Sequence, residues 1–187
     1  MVTGTVCELR EVKLSDKPDA LREASAKATV PVLVLPDGTV IEESLDIMRW
    51  CLGRTDPAGW LLRDDPALIA ANDGPFKHDL DRYKYPNRHE SDAETHRQSG
   101  LDFLVGLNER LADAGQLCGA QPGLADMAIM PFVRQFAATD RAWFDAQPIA
   151  RVQAWLDRHL ASDIFTAIMG KRPFWQPGDA PTLFPDA

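Results

Sequence analysis

Cysteine is scarce in this chain. Three residues in 187, Cys7, Cys51 and Cys118, are odd in number and far apart. They exclude a disulfide framework, and none forms the C-x-x-C pair used for thiol exchange or zinc. Histidine is equally thin. His78, His89, His96 and His159 share no i, i+4 or comparable ligand spacing, so the sequence predicts no metal site. No apolar run approaches the roughly 18 residues that cross a bilayer. The opening Met1-Val2-Thr3-Gly4 is not a basic segment followed by an apolar one, as a secretory signal would be. A cytoplasmic protein without membrane partners is expected. Basic residues are in deficit, 20 Lys and Arg against 28 Asp and Glu, giving a net charge of −8 and a pI near 4.9. The cations are scattered among acids, so a phosphate backbone meets no concentrated basic patch and nucleic acid is excluded as a partner. Internal repeats and low-complexity stretches are absent.

What remains is an ordinary globular composition, 45% hydrophobic and 26% charged, long enough for one large or two small domains. The two halves differ in texture. Apolar and polar residues alternate from Cys7 to Leu14, as in a half-exposed strand. A short helical pattern follows over Lys17–Lys27, with Pro18 at its first turn. Val30-Pro31-Val32-Leu33-Val34-Leu35 is a continuous, β-branched run suited to a buried strand. Pro36-Asp37-Gly38 is hairpin-turn chemistry, and Thr39–Glu42 is the returning strand. Ser44 is an N-cap candidate for a helix through Leu45, Ile47, Met48 and Leu52, with Gly53 as its stop.

A linker containing Pro and Gly spans residues 54–66, and the remainder reads as helical. The patterns cover Ala67–Tyr85, Ser91–Ala114, Leu124–Thr139, Ile149–Leu160 and Ile164–Met169, broken at Pro86-Asn87, Gly115, Gln121-Pro122-Gly123 and Gln147-Pro148. The tail from Lys171, rich in Pro and aromatics, is expected to lie extended across the helical surface. Residues 1–53 and 67–187 are therefore read as two domains, an α/β one followed by an all-α one.

A strand, a helix, a strand led by Val-Pro, a hairpin and a helix, followed by an all-helical domain, is the order found in glutathione S-transferases. The stretch CELREVKLSDKPDALREASAKATVPVLVLPDGTVIEESLDIMRW resembles the second half of that family's thioredoxin-like domain. GLADMAIMPFVRQFAATDRAWF resembles the central buried helix of its C-terminal domain. Three details carry implications. Pro31 resembles the family's cis-proline, which would turn the backbone of Val30 outward to pair with the cysteinyl part of glutathione; on sequence alone a trans proline at a strand start is the commoner reading, and the family pattern around it favours cis. Glu43-Ser44 resembles the pair that holds the γ-glutamyl end, Ser44 taking the carboxylate at a helix N-terminus and Glu43 the ammonium group; a plain N-cap is the alternative. Gly123 with Asp126 resembles the family's capping box but lacks the usual Ser or Thr at its first position, so a side-chain oxygen is missing.

The resemblance also implies what is not found. The family's first strand and the Tyr, Ser or Cys that activates the thiol have no counterpart, because Cys7 falls at the start of what resembles the second strand. No catalytic residue is carried over. The expectation is that Met1 is an internal methionine of a longer natural protein. The alternatives are that residues 1–14 are rearranged, exchanged with a neighbour, or paired with the Val32–Leu35 strand. The implied function is glutathione-dependent transfer to, or thiol exchange with, an apolar electrophile, impaired here by loss of the catalytic segment, with glutathione as cosubstrate and no metal. The alternatives are a non-catalytic glutathione-binding or interaction protein, or a helical dimerisation scaffold without a ligand. The electrophile would meet the first long helix of the C-terminal domain, where Phe76, Tyr83, Lys84 and Tyr85 are candidates, although aromatics at that spacing are also expected of a packed helix. A homodimer is the assembly the resemblance implies.

Overall fold

A computed structural model describes residues 1–185. The chain divides into two compact units, Met1–Ala58 with the residues from Ala167 onward, and Gly59–Thr166.

In the first unit, β1 (Cys7–Glu8) leads through a loop to α1 (Asp19–Ala24), with Pro18 just before its first turn and Leu21 buried. The hairpin follows as β2 (Leu33–Val34) and β3 (Val40–Ile41), antiparallel with Leu33 opposite Ile41 and Val34 opposite Val40. Its turn is closed by Leu35 N–H to the Thr39 carbonyl at 2.8 Å and by Thr39 N–H to Asp37 Oδ1 at 2.9 Å. Gly38 has φ +86°, a conformation that L side chains rarely adopt, which is why glycine ends Pro-Asp-Gly here. Helix α2 (Ser44–Arg54) begins one residue earlier than an N-cap at Ser44 would place it: Glu43 is the N-cap and Ser44 is the first helical residue. Gly53 lies inside the last turn, and Thr55 ends the helix with an extended backbone.

The alternating stretch Cys7–Leu14 yields a ladder of two residues, because its partner is equally short. That partner is β4 (Leu183–Phe184), antiparallel to β1 with Cys7 opposite Phe184 and Glu8 opposite Leu183. Leu9 N–H extends the pairing to the Thr182 carbonyl at 2.7 Å, and Trp175 N–H reaches the Glu11 carbonyl at 2.9 Å. The Arg10 guanidinium covers the Trp175 ring at 4.6 Å. The tail thus belongs with the first unit, which corrects its expected placement on the helices. An unpaired strand edge needs backbone partners, and residues 175–184 supply them; β1 does not pair with β2.

The second unit is helical. A 3₁₀ turn (Trp60–Arg63) precedes α3 (Pro66–Ala71), which Asp65 caps by accepting from Leu68 N–H at 3.0 Å, with Pro66 at its first position. The single helix expected over Ala67–Tyr85 is interrupted by a π-helical turn (Asn72–Phe76) containing Pro75, before α4 (Lys77–Lys84). A proline without an N–H is accommodated by widening the turn. A short α5 (Pro86–His89) leads to α6 (Ala93–Ala114), capped by Asp92 and ended by Gly115 at φ +78°. Helix α7 (Leu124–Thr139) has the bounds its periodicity predicts, and α8 (Arg141–Asp145), α9 (Ala150–Leu160) and α10 (Asp163–Ile168) follow.

The core of this unit is aromatic at one end. Phe76 stacks on Phe103 with centroids 4.5 Å apart, and Phe136 lies 5.5 Å from Phe76 and 5.1 Å from Tyr83. At the other end the fully buried Asp126 carboxylate accepts from Leu117 N–H at 2.9 Å, Gly123 N–H at 3.0 Å and Trp155 Nε1–H at 2.9 Å. Those three donors hold a loop, a helix start and α9 to one group. The structure explains Gly123. A Cβ there would lie 2.3 Å from Arg63 Cβ and 2.6 Å from the Arg63 carbonyl oxygen, so a Ser or Thr cap has no room.

Candidate functional site

The first unit brings two segments together at its solvent face, the loop between α1 and β2 and the start of α2. Ser25, almost fully buried, donates to Glu42 Oε1 at 2.5 Å. Lys27 Nζ lies 3.0 Å from Glu43 Oε1 and 3.9 Å from Glu42 Oε2. The hydrogen bond to Glu43, followed by the charges of Glu43 and Glu42, raises the Lys27 ammonium above its ordinary pKa and keeps it protonated. These links join residues 15 to 17 positions apart, a separation that periodicity does not reveal; Ser25, Lys27 and Glu42 are the members of the cluster that sequence reasoning missed.

The four expected ligand-binding residues border this cluster, and Val30, Pro31, Glu43 and Ser44 are all exposed. The Val30–Pro31 peptide bond is cis. Glu43 makes no side-chain cap for α2. The first helical N–H groups, from Ser44 onward, therefore face solvent with their partial positive charge, flanked by a carboxylate and an ammonium. Such an arrangement can take a carboxylate at the helix start and a cation at Glu43.

The second unit contributes an open groove of about 540 Å³, lined in part by Lys77, Arg82, Lys84, Tyr85, Phe132 and Gln135. Its walls pair cations with rings: Lys84 Nζ lies 5.0 Å from the Tyr85 ring centroid, and Lys77 Nζ lies 5.6 Å from that of Phe132. Lys84 also donates to Gln135 Oε1 at 3.2 Å. The four candidates for the second substrate divide here. Lys84 and Tyr85 line the groove, whereas Phe76 and Tyr83 are buried in the aromatic core, so their helical spacing reflects packing. Burial, reinforced by the charge of Asp140, pushes the Tyr83 phenol up and keeps it neutral. Burial likewise raises the thiols of Cys51 and Cys118, so neither is an activated nucleophile.

Residues 5–52 match the model of the glutathione S-transferase N-terminal domain, and residues 91–158 match that of the C-terminal domain. The chain belongs to the glutathione S-transferase family. Solved family structures share its fold. A glutathione S-transferase from Xanthobacter autotrophicus is 24% identical, with a TM-score of 0.60 over 76% of this chain and 73% of that one. Glutathione S-transferase 1-6 from Anopheles dirus is 20% identical, with a TM-score of 0.65 over 82% of this chain and 76% of that one. A glutathione transferase from Burkholderia graminis is 19% identical, with a TM-score of 0.60 over 78% and 68% of the two chains, and it was solved with two glutathione molecules bound per subunit. No curated protein matches the chain. Among the described residues, no helix is long and apolar enough to cross a membrane.

Proposed function

We propose that this glutathione S-transferase family member binds glutathione on the face formed by Val30, Pro31, Glu43 and Ser44. The observation that carries the reading is the uncapped start of α2 beside the exposed Glu43 carboxylate. The N–H groups from Ser44 onward would take the γ-glutamyl carboxylate, and Glu43 its ammonium group. The outward backbone of Val30, which has no hydrogen-bond partner among the described residues, would pair with the cysteinyl amide. Bound glutathione supplies the thiol that attacks the electrophile. Lys27 already neutralises part of the Glu43 charge, so the ligand ammonium competes with a residue of the chain itself.

For the second substrate, the cation-and-ring walls around Lys84 and Tyr85 favour a flat, electron-poor aromatic electrophile with a polar substituent over a purely aliphatic one. A homodimer and a cytoplasmic location complete the reading.

Calorimetric titration of the chain with reduced glutathione, beside Glu43→Ala and Ser44→Ala, tests it. Saturable binding that weakens at least tenfold in Glu43→Ala is expected. Binding that is absent, or indifferent to both substitutions, overturns the site. Turnover of an aryl halide then separates a transferase from a non-catalytic glutathione-binding protein, since the latter binds without turnover.

A further inference from the structure

The second unit brings His96 together with His78 and Asp79, which the sequence keeps well apart from it. His78 and Asp79 stand in the first turn of α4, and His96 lies one turn into α6, followed by Ser99 on the same helical face. His96 Nδ1 is 2.7 Å and His78 Nδ1 3.4 Å from the same oxygen, Asp79 Oδ1, while the second oxygen, Oδ2, accepts from Ser99 Oγ at 2.5 Å. The potential ligand atoms of His78, Asp79 and His96 all lie within 4.8 Å of one another. The imidazole rings meet edge to face with centroids 5.6 Å apart.

A buried carboxylate must be satisfied, and Ser99 and His96 already satisfy Asp79. The third approach, from the half-exposed ring of His78, adds nothing that burial requires. It does place a second imidazole nitrogen against the oxygen that His96 already approaches. Metal–nitrogen and metal–oxygen bonds of roughly 2.0–2.2 Å imply ligand–ligand separations of about 3–3.6 Å. The observed 3.4 Å falls inside that range and 2.7 Å just below it, and small turns of the two rings, the solvent-facing His78 foremost, close the remainder. Ser99 holds the carboxylate from behind, as supporting hydrogen bonds do in metal sites.

We propose that His78 Nδ1, Asp79 Oδ1 and His96 Nδ1 form a binding site for one divalent first-row transition-metal ion, zinc(II) foremost. Two imidazoles and one carboxylate suit zinc, cobalt, nickel or copper(II); calcium and magnesium prefer oxygen ligands, and copper(I) prefers sulfur. Three protein ligands leave a fourth position for water on the solvent side of His78. The ion would clip α4 to α6 at the end of the unit opposite Asp126. The site was invisible to sequence spacing because its ligands come from two helices, with Asp79 and His96 17 residues apart.

The test uses the full chain after treatment with a chelator. Cobalt(II) titration followed in the visible, with zinc competition by calorimetry, should give one equivalent bound. Affinity should fall at least tenfold in Ser99→Ala and further in His78→Ala and His96→Ala. Zinc should raise the thermal midpoint of the wild type but not of His78→Ala, a surface variant whose fold circular dichroism can verify. A Cys7→Ala/Cys51→Ala/Cys118→Ala variant should bind as the wild type does. No binding at millimolar zinc overturns the proposal. So does binding that survives both histidine substitutions, or a thiolate-to-cobalt charge-transfer band that disappears with the cysteines.

Discussion

In the helical unit, Phe76, Leu104, Ile129, Val133, Phe136 and Trp155 are all at most 1% exposed. The first unit buries Leu21 and Leu52, and its strands form two separate two-residue ladders, β1 with β4 and β2 with β3. Two-stranded ladders are marginal alone and depend on the helices packed over them. One unit is held by a continuous apolar core with a polar hub at Asp126. The other is held by a few short contacts, some of them the ion pairs and hydrogen bonds that also shape the proposed ligand-binding face. Ligand sites are commonly drawn from the less stable parts of a fold, and this division places the proposed glutathione face on the more weakly cored unit.

Substitutions in the two units should therefore separate stability from ligand affinity. The largest effect is expected for Asp126→Ala, which leaves the N–H groups of Leu117, Gly123 and Trp155 buried without an acceptor. A loss on the order of 3 kcal/mol or more should appear in denaturant unfolding, with no change in glutathione affinity where the protein remains folded. A selective affinity loss would break the comparison. Next comes Gly123→Ser, which restores the family's capping oxygen yet drives a Cβ into Arg63. Overpacking should outweigh the cap and cost about 1–3 kcal/mol; a gain in stability would show that Arg63 can move aside.

On the first unit, Ser25→Ala removes the donor to Glu42 and should cost about 1–2 kcal/mol. It should also weaken glutathione binding by loosening the loop that carries Lys27 and Val30. A loss as large as that of Asp126→Ala would deny the contrast. His159 gives a pH signature for the helical unit. Burial lowers its pKa, partly opposed by Asp126 and joined by Arg158, so the folded protein holds the ring neutral. Its contribution to stability is present above the unfolded pKa near 6.5 and is lost as pH falls from there toward the lower folded pKa. His159→Gln should flatten the stability profile below pH 6.5; an unchanged slope would show that the ring does not titrate in this way. The smallest effect is expected for Arg22→Ala, which breaks an exposed pair with Asp19 and should shift stability by less than about 0.5 kcal/mol.

Much of the fold was legible in local chemistry. The hairpin turn at Pro36-Asp37-Gly38, the full extent of α7 and the division into a mixed and a helical part follow from turn residues and period. These are set by neighbours within a few positions. Of the proposed glutathione face, Val30, Pro31, Glu43 and Ser44 were named through the motifs that carry the resemblance. Lys27 and Ser25 were not, since their partners lie on another element. The resemblance also offered Phe76 and Tyr83 for a second substrate, and both are buried, as the spacing of a packed helix had allowed, because a helix turns its aromatics toward whichever neighbour packs against it.

The sequence by itself determined the order of the elements, the turn chemistry and the family, all of which depend on local pattern. Only the tertiary structure decided that the tail pairs with β1, that Arg63 forbids a side chain at position 123, and that Asp126 holds three distant donors. It also decided that His78, Asp79 and His96 converge. Each of these is a contact between residues far apart in the chain, fixed by how helices pack and where unpaired backbone finds a partner, and no periodicity along one segment encodes it.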